Sequence, residues 1–272
     1  MHAIRIDRDK RLAAEPHSGH NRYHPDIAPI LEVGEGEEVS LETRDALDGQ
    51  LPPNATVADL ANVDEREQRA LDAGGFVLPP SEAGAVPRGR CGIEGLRTLP
   101  PRENGGNFDV KQLTKGAKLL LPVFTRGALF STGDAHFAQG DGEVCVTAVE
   151  MGATLVVRFK VVKGLARKRT FAGPVFSHAG YFNDPKYAAP QNFLGVMGMP
   201  INAKGEIESE NLTLAARNAV LNMMTLLQER GFSREQAYVI CSVAVDLRIS
   251  NVVDVPNYVV SALLPEALFA GS

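Results

Sequence analysis

Too few cysteines, too little positive charge and no long apolar run exclude several broad protein classes for this chain. Its three cysteines, Cys91, Cys145 and Cys241, are far apart and odd in number, so neither a disulfide framework nor a paired-cysteine zinc site is expected. Lys and Arg total 28 against 33 Asp and Glu, a formal net charge of -5, which argues against a nucleic-acid surface. The one dense basic patch, Lys163, Arg167, Lys168 and Arg169, lacks interleaved aromatics and reads as a solvated loop. No stretch approaches the ~20 apolar residues of a membrane helix. The charged opening from Met1 to Arg11 lacks the apolar core of a signal peptide. A cytoplasmic protein engaging neither membrane nor nucleic acid is therefore expected. Internal repeats and low-complexity segments are also missing, and His136 has no neighbouring histidines, which disfavours a cupin-like metal site.

What remains is an ordinary globular composition, 44% hydrophobic and 22% charged over 272 residues, enough for one large domain or two modest ones. With 26 Gly, 17 Pro and little helical periodicity before Gly205, the body reads as β-rich with many turns. Val39, Leu41 and Thr43 alternate with Glu38, Ser40 and Glu42, predicting a half-buried strand. Ala117 to Phe124, Gly127 to Thr132, Val144 to Ala148, Thr154 to Val162 and Tyr258 to Leu264 also read as strands. Glu65 to Asp72 reads as a short helix, and Leu78 to Arg102 as extended loop. A long helix is expected from Ser209 or Asn211 to Arg230-Gly231, carrying Leu212, Ala216, Ala219, Val220, Met223, Met224 and Leu227 at helical spacing. The next opens on a capping box, Ser233 to Gln236, with Phe232 stapled onto Ala237. Asp246 and Arg248 lie close enough for a structural ion pair.

Between the apolar segments lies Gly133-Asp134-Ala135-His136-Phe137-Ala138-Gln139-Gly140-Asp141-Gly142-Glu143. Gly and Asp alone suit a turn, and Asp141 between two glycines reads most simply that way. A turn does not also require His, Gln and Glu. Asp, His and Glu brought together by a short loop can supply oxygen and imidazole ligands to zinc or another divalent metal. Cys145 follows two residues later as a conceivable nucleophile, although cysteines in strands are most often simply buried.

The stretch GDAHFAQGDGE, with the preceding NGGNFDVKQLTKGAKLLLPVFTRGALFS, resembles the acetamidase/formamidase family of short-chain amide hydrolases. HNRYHPDIAPILEV (His20 to Val33), LETRDALDGQL (Leu41 to Leu51), GGFVLPP (Gly74 to Pro80) and SVAVDLRISNVVDVPNYVVSALLP (Ser242 to Pro265) extend the resemblance over nearly the whole chain, closest to the formamidase branch. After Asp64 the chain runs at once into REQRALDAGGFVLPP, so a long internal β-rich stretch usual in the family is missing.

The resemblance implies a mainly β fold, an antiparallel β-sandwich with a C-terminal helix pair, in one domain over residues 1–272. Its parts are an N-terminal β part (1–64), a central body with the metal-site loop (74–205) and C-terminal helices and strand (206–272). It also implies hydrolysis of short aliphatic amides to carboxylate and ammonia, and a homo-oligomer. Ligand chemistry and resemblance together point to a divalent metal, zinc or alternatively calcium, held by Asp134 and His136 with Asp45 as third ligand. Alternation along an extended segment would turn Asp134 and His136 to one face. Glu143 is the candidate general base and proton carrier, and Gln139 and Asn107 candidate substrate-binding residues, with a pocket-wall role also open for Asp109. His20, His24 and Asp141 complete the candidates, whereas His17 and His178 read as surface histidines. The missing stretch raises a second expectation: a degenerate, non-catalytic relative that binds a ligand or serves as an assembly subunit.

Overall fold

The computed structural model describes residues 1–51, 54, 85–98, 100–170, 173–183 and 192–269; the expected Glu65 to Asp72 helix, the GGFVLPP segment and the junction after Asp64 lie outside them. The described strands are β1 (His2–Ile4), β2 (Arg22–Tyr23), β3 (Glu38–Glu42), β4 (Leu96–Arg97), β5 (Ala117–Leu120), β6 (Ala135–His136), β7 (Glu150–Met151), β8 (Thr154–Arg158), β9 (Val175–His178), β10 (Phe193–Gly198), β11 (Asp246–Asn251) and β12 (Val259–Pro265). The described α-helices are α1 (Arg90–Glu94), α2 (Leu165–Lys168), α3 (Leu212–Glu229) and α4 (Arg234–Ala244). Short strands in small sheets thus accompany a C-terminal helix pair. The chain divides into two compact units, one formed by 1–108, 119–135 and 150–175, the other by 109–118, 136–149 and 176–272.

In the first unit, β3 lies between β1, to which it is parallel, and β8, to which it is antiparallel. Val39 is buried at its centre. Two motifs that carry the family resemblance are structural latches here. Asn21 Oδ1 accepts from Val86 N–H at 2.8 Å, and the buried Arg22 donates through Nε to Gly92 O at 3.3 Å. Arg44 pairs with Glu15, holding that carboxyl below its ordinary pKa, and its Nε lies 3.2 Å from Asp48 Oδ1. Within the segment expected to be loop, α1 forms one turn and β4 pairs with β2.

The second unit builds its core from the helix pair and a three-stranded antiparallel sheet in the order β10-β12-β11. Asn211 caps α3 by accepting from Leu214 N–H at 3.0 Å. Ser233 and Gln236 form the reciprocal capping box of α4, at 3.2 and 2.9 Å. Ala215, Ala219, Met223, Leu227, Ala237, Cys241, Val260, Ala262 and Leu264 are buried together, with Phe232 packed against them. Gly198 sets the helix-to-sheet distance, because a Cβ there would lie 2.1 Å from Ala215 O.

Candidate metal centre

The residues from His136 to Val149 form a loop of the second unit, pinned along its length to α4 and β11. Phe137 N–H donates to Val149 O at 2.8 Å and Val149 N–H to Ala138 O at 3.0 Å, closing the loop's base. Gly140 N–H then donates to Ser242 O at 2.9 Å, so close to α4 that a Cβ on Gly140 would fall 2.2 Å from Val245 O. Only glycine fits. Asp141 O accepts from Leu247 N–H at 3.0 Å, fastening the turn to β11.

Val144 to Ala148 does not form the expected strand. It follows two turns, Glu143 N–H to Gly140 O at 3.2 Å and Val146 N–H to Glu143 O at 3.0 Å. Side chains of α4 replace a neighbouring strand: Ser242 Oγ accepts from Cys145 N–H at 3.1 Å and donates to Thr147 O at 2.6 Å, and Tyr238 donates its hydroxyl to Val144 O. Cys145 Sγ faces Thr147 O at 3.9 Å, while burial pushes the Cys241 thiol up to about 12. Cys241 therefore stays protonated and inert at neutral pH.

This loop brings Asp109, His136 and Glu143 together. Each is half-buried, and one ligand atom from each lies within 4.8 Å of the others. Two carboxylates and one imidazole form a donor set suited to zinc and acceptable to other divalent ions, so the residues present fit a metal. Asp109 and Glu143 have backbone φ of 49° and 39°, in the left-handed region. Such conformations cost about 1–3 kcal/mol each in non-glycine residues and collect at functional sites. Gln139 lies between two of these residues, with Oε1 2.8 Å from His136 Nδ1 and Nε2 donating to Asp109 O at 2.5 Å. Its amide thus meets His136 with its oxygen and the Asp109 backbone with its nitrogen.

Beside the group, the buried Asp246 pairs with Lys111 and accepts from Asp141 N–H at 3.1 Å. Arg248 is a more distant partner at 3.8 Å. The Asp141 side chain accepts from Gln112 Nε2 at 3.2 Å and lies 3.9 Å from Lys111 Nζ. Burial, with the carboxylates of Asp141 and Asp246, raises the Tyr181 phenol. Asp141 is therefore both the expected turn residue and part of a charged network.

The other candidates are in the first unit. Asp134 is half-buried, with φ 55°, immediately before β6. The Asp45 carboxylate accepts from Leu47 N–H at 2.8 Å and Gly49 N–H at 3.0 Å, which makes it a turn cap. Asn107 is half-buried after the tight Gly105-Gly106 turn. The His20 ring meets Tyr23 edge-on at 6.1 Å, and burial lowers its pKa. His24 Nδ1 accepts from Asp26 N–H at 3.1 Å and lies 3.5 Å from Cys91 Sγ. In the second unit His178, expected at the surface, is half-buried and bonds Lys115 O at 2.9 Å. Lys111 and Ser242 were not among the candidates; the two-residue spacing of Asp109 and Lys111 in NFDVK is the sequence signal that could have pointed to the first.

A protein of small β-sheets with a C-terminal helix pair, carrying one histidine and two carboxylates that could hold a metal, is the class these features define. A γ-lactamase from Delftia acidovorans shares the fold, with TM-score 0.87 and 24% identity over 99% of this chain and 94% of that one. The chain matches the acetamidase/formamidase family over residues 5–65 and 60–271, and it belongs to that family. It is 35% identical to a formamidase of Methylophilus methylotrophus over 66% of its length and 38% identical to an acetamidase of Mycolicibacterium smegmatis over 54%. Those alignments cover 44% and 36% of the relatives, so the chain spans less than half the length of either.

Proposed function

We propose that the protein is a metal-dependent hydrolase of short aliphatic amides, releasing ammonia and a carboxylate. The observation that carries this is the convergence of Asp109, His136 and Glu143 in a family member. These three residues would hold the metal, zinc by the donor set. When bound, such an ion polarises the amide carbonyl and lowers the pKa of its water towards neutrality. The departing nitrogen also needs a proton. Glu143 has two carboxylate oxygens, and we assign to it acceptance of the water's proton and delivery to nitrogen, as a general base that becomes a general acid. Lys111, paired with Asp246, lies beside the loop. Asp134 stays in the proposal as a further carboxylate of the GDAHFAQGDGE stretch, and Asn107 as a pocket-wall residue. The antiparallel sandwich, the single domain and the homo-oligomer belong to the proposal on the family resemblance.

The test is ammonia release from formamide by the zinc-supplemented protein beside His136→Ala. Release is expected from the wild type and at least 100-fold less from the variant, the scale of losing general acid–base or electrostatic stabilisation, roughly 10²–10⁴. A second reading, a non-catalytic relative, is favoured by coverage of less than half of the formamidase and acetamidase. A folded, zinc-loaded protein inert towards formamide, acetamide and propionamide would establish it.

A further inference from the structure

We infer that Gln139 is a positioning residue that sets the tautomer of His136 and holds Asp109 in place, an assignment that rests on the metal-centre reading above. Asp109 O can only accept, so the Gln139 group 2.5 Å from it must be the NH2. That orientation turns Gln139 Oε1 towards His136 Nδ1 at 2.8 Å. Oε1 is itself only an acceptor, so Nδ1 must carry the ring proton. The lone pair of the neutral imidazole is then on Nε2, the tautomer a metal-binding histidine needs when its other nitrogen is hydrogen-bonded to an acceptor.

The same side chain constrains a second ligand. Asp109 sits at φ 49°, a conformation an L-residue keeps only when its surroundings hold it. The bond from Gln139 Nε2 to Asp109 O is one such hold. A single amide therefore ties together the chain segments carrying Asp109 and His136, which are 27 positions apart in sequence. The three-residue spacing of His136 and Gln139 lets the loop supply ligand and support from one turn.

The experiment compares the wild type with Gln139→Met, which loses both bonds, and Gln139→Glu, which keeps an acceptor for Nδ1–H and loses the donor to Asp109 O. Long-range 1H–15N correlation on the metal-free proteins at about pH 8, above the ordinary imidazole range, reads the tautomer of His136. Chelator competition with Zn2+ alone reads affinity. The wild type and Gln139→Glu are expected to show Nδ1–H. Gln139→Met is expected to lose that preference and to bind zinc ~10–100-fold more weakly, as loss of a supporting partner does. An Nε2–H tautomer in the wild type would overturn the inference, as would Gln139→Met with wild-type tautomer and affinity. Should Gln139→Met fail to fold, the Gln139→Glu tautomer still decides: Nε2–H there overturns the inference. An Nδ1–H wild type that binds no zinc would uphold the Gln139 assignment and overturn the metal centre.

Discussion

Glu143 pays for its position with backbone strain. At φ 39° its Cβ is crowded, and relief of that crowding is worth roughly 1–2 kcal/mol. Glu143→Gly should therefore be more stable than Glu143→Ala by about 1 kcal/mol, while both lose zinc affinity. Paired denaturant melts and zinc titrations check this; an alanine variant as stable as the glycine would remove the strain argument. His20 supports a different residue-scale expectation, from pH. Burial lowers its folded-state pKa below the ordinary 6.5. As pH falls below 6.5 the unfolded chain takes up the proton first, so stability is fully present above that value and is lost towards the lower folded-state pKa. His20→Leu should flatten this slope, measured as unfolding free energy against pH. Asp45 shows the same attention to local chemistry: its carboxylate completes a turn through two backbone N–H groups.

Helix α4 does two jobs, and its two faces divide them. Ala237 and Cys241 point into the core, whereas Ser242 and Tyr238 bond the loop that carries Glu143. The helix therefore acts as the loop's template. Ser242→Ala should cost about 1–3 kcal/mol, because Cys145 N–H and Thr147 O lose their shared buried partner. It should weaken zinc binding as well, since the loop's course is then less constrained. Thermal unfolding and chelator competition test the two effects separately, and an unchanged zinc affinity would show that the contacts of Gly140, Asp141 and Tyr238 suffice to set the loop. Strand β11 contributes the remaining support, through Leu247 N–H to Asp141 O and through Asp246, which pairs with Lys111.

For the whole molecule, a metal held only by the folded chain must stabilise it. Zinc at 100 times its Kd should add about 2.7 kcal/mol to unfolding free energy. A chelator should remove that increment, and His136→Ala should show none of it in a thermal scan with and without zinc. No described helix is long and apolar enough to cross a membrane. The family match falls in two pieces, residues 5–65 and 60–271, which overlap at 60–65, and the chain spans less than half the length of the formamidase and acetamidase it matches.

Features set within a few residues were legible in the sequence. Asn211 and Ser233 were readable as helix starts because a cap bonds backbone only two or three positions away. The alternation in Glu38–Glu42 and the burial stripe of α3 were readable because periodicity reports one face of one element. GDAHFAQGDGE marked the loop and two of the three side chains that converge in it, His136 and Glu143. Tertiary structure alone decided the third. Asp109 joins them, and Asp246 meets Lys111 from 135 positions away, through contacts that no local pattern encodes. Val144 to Ala148 has a strand's alternation yet bonds to helix side chains, since a backbone group requires a partner but does not specify which one.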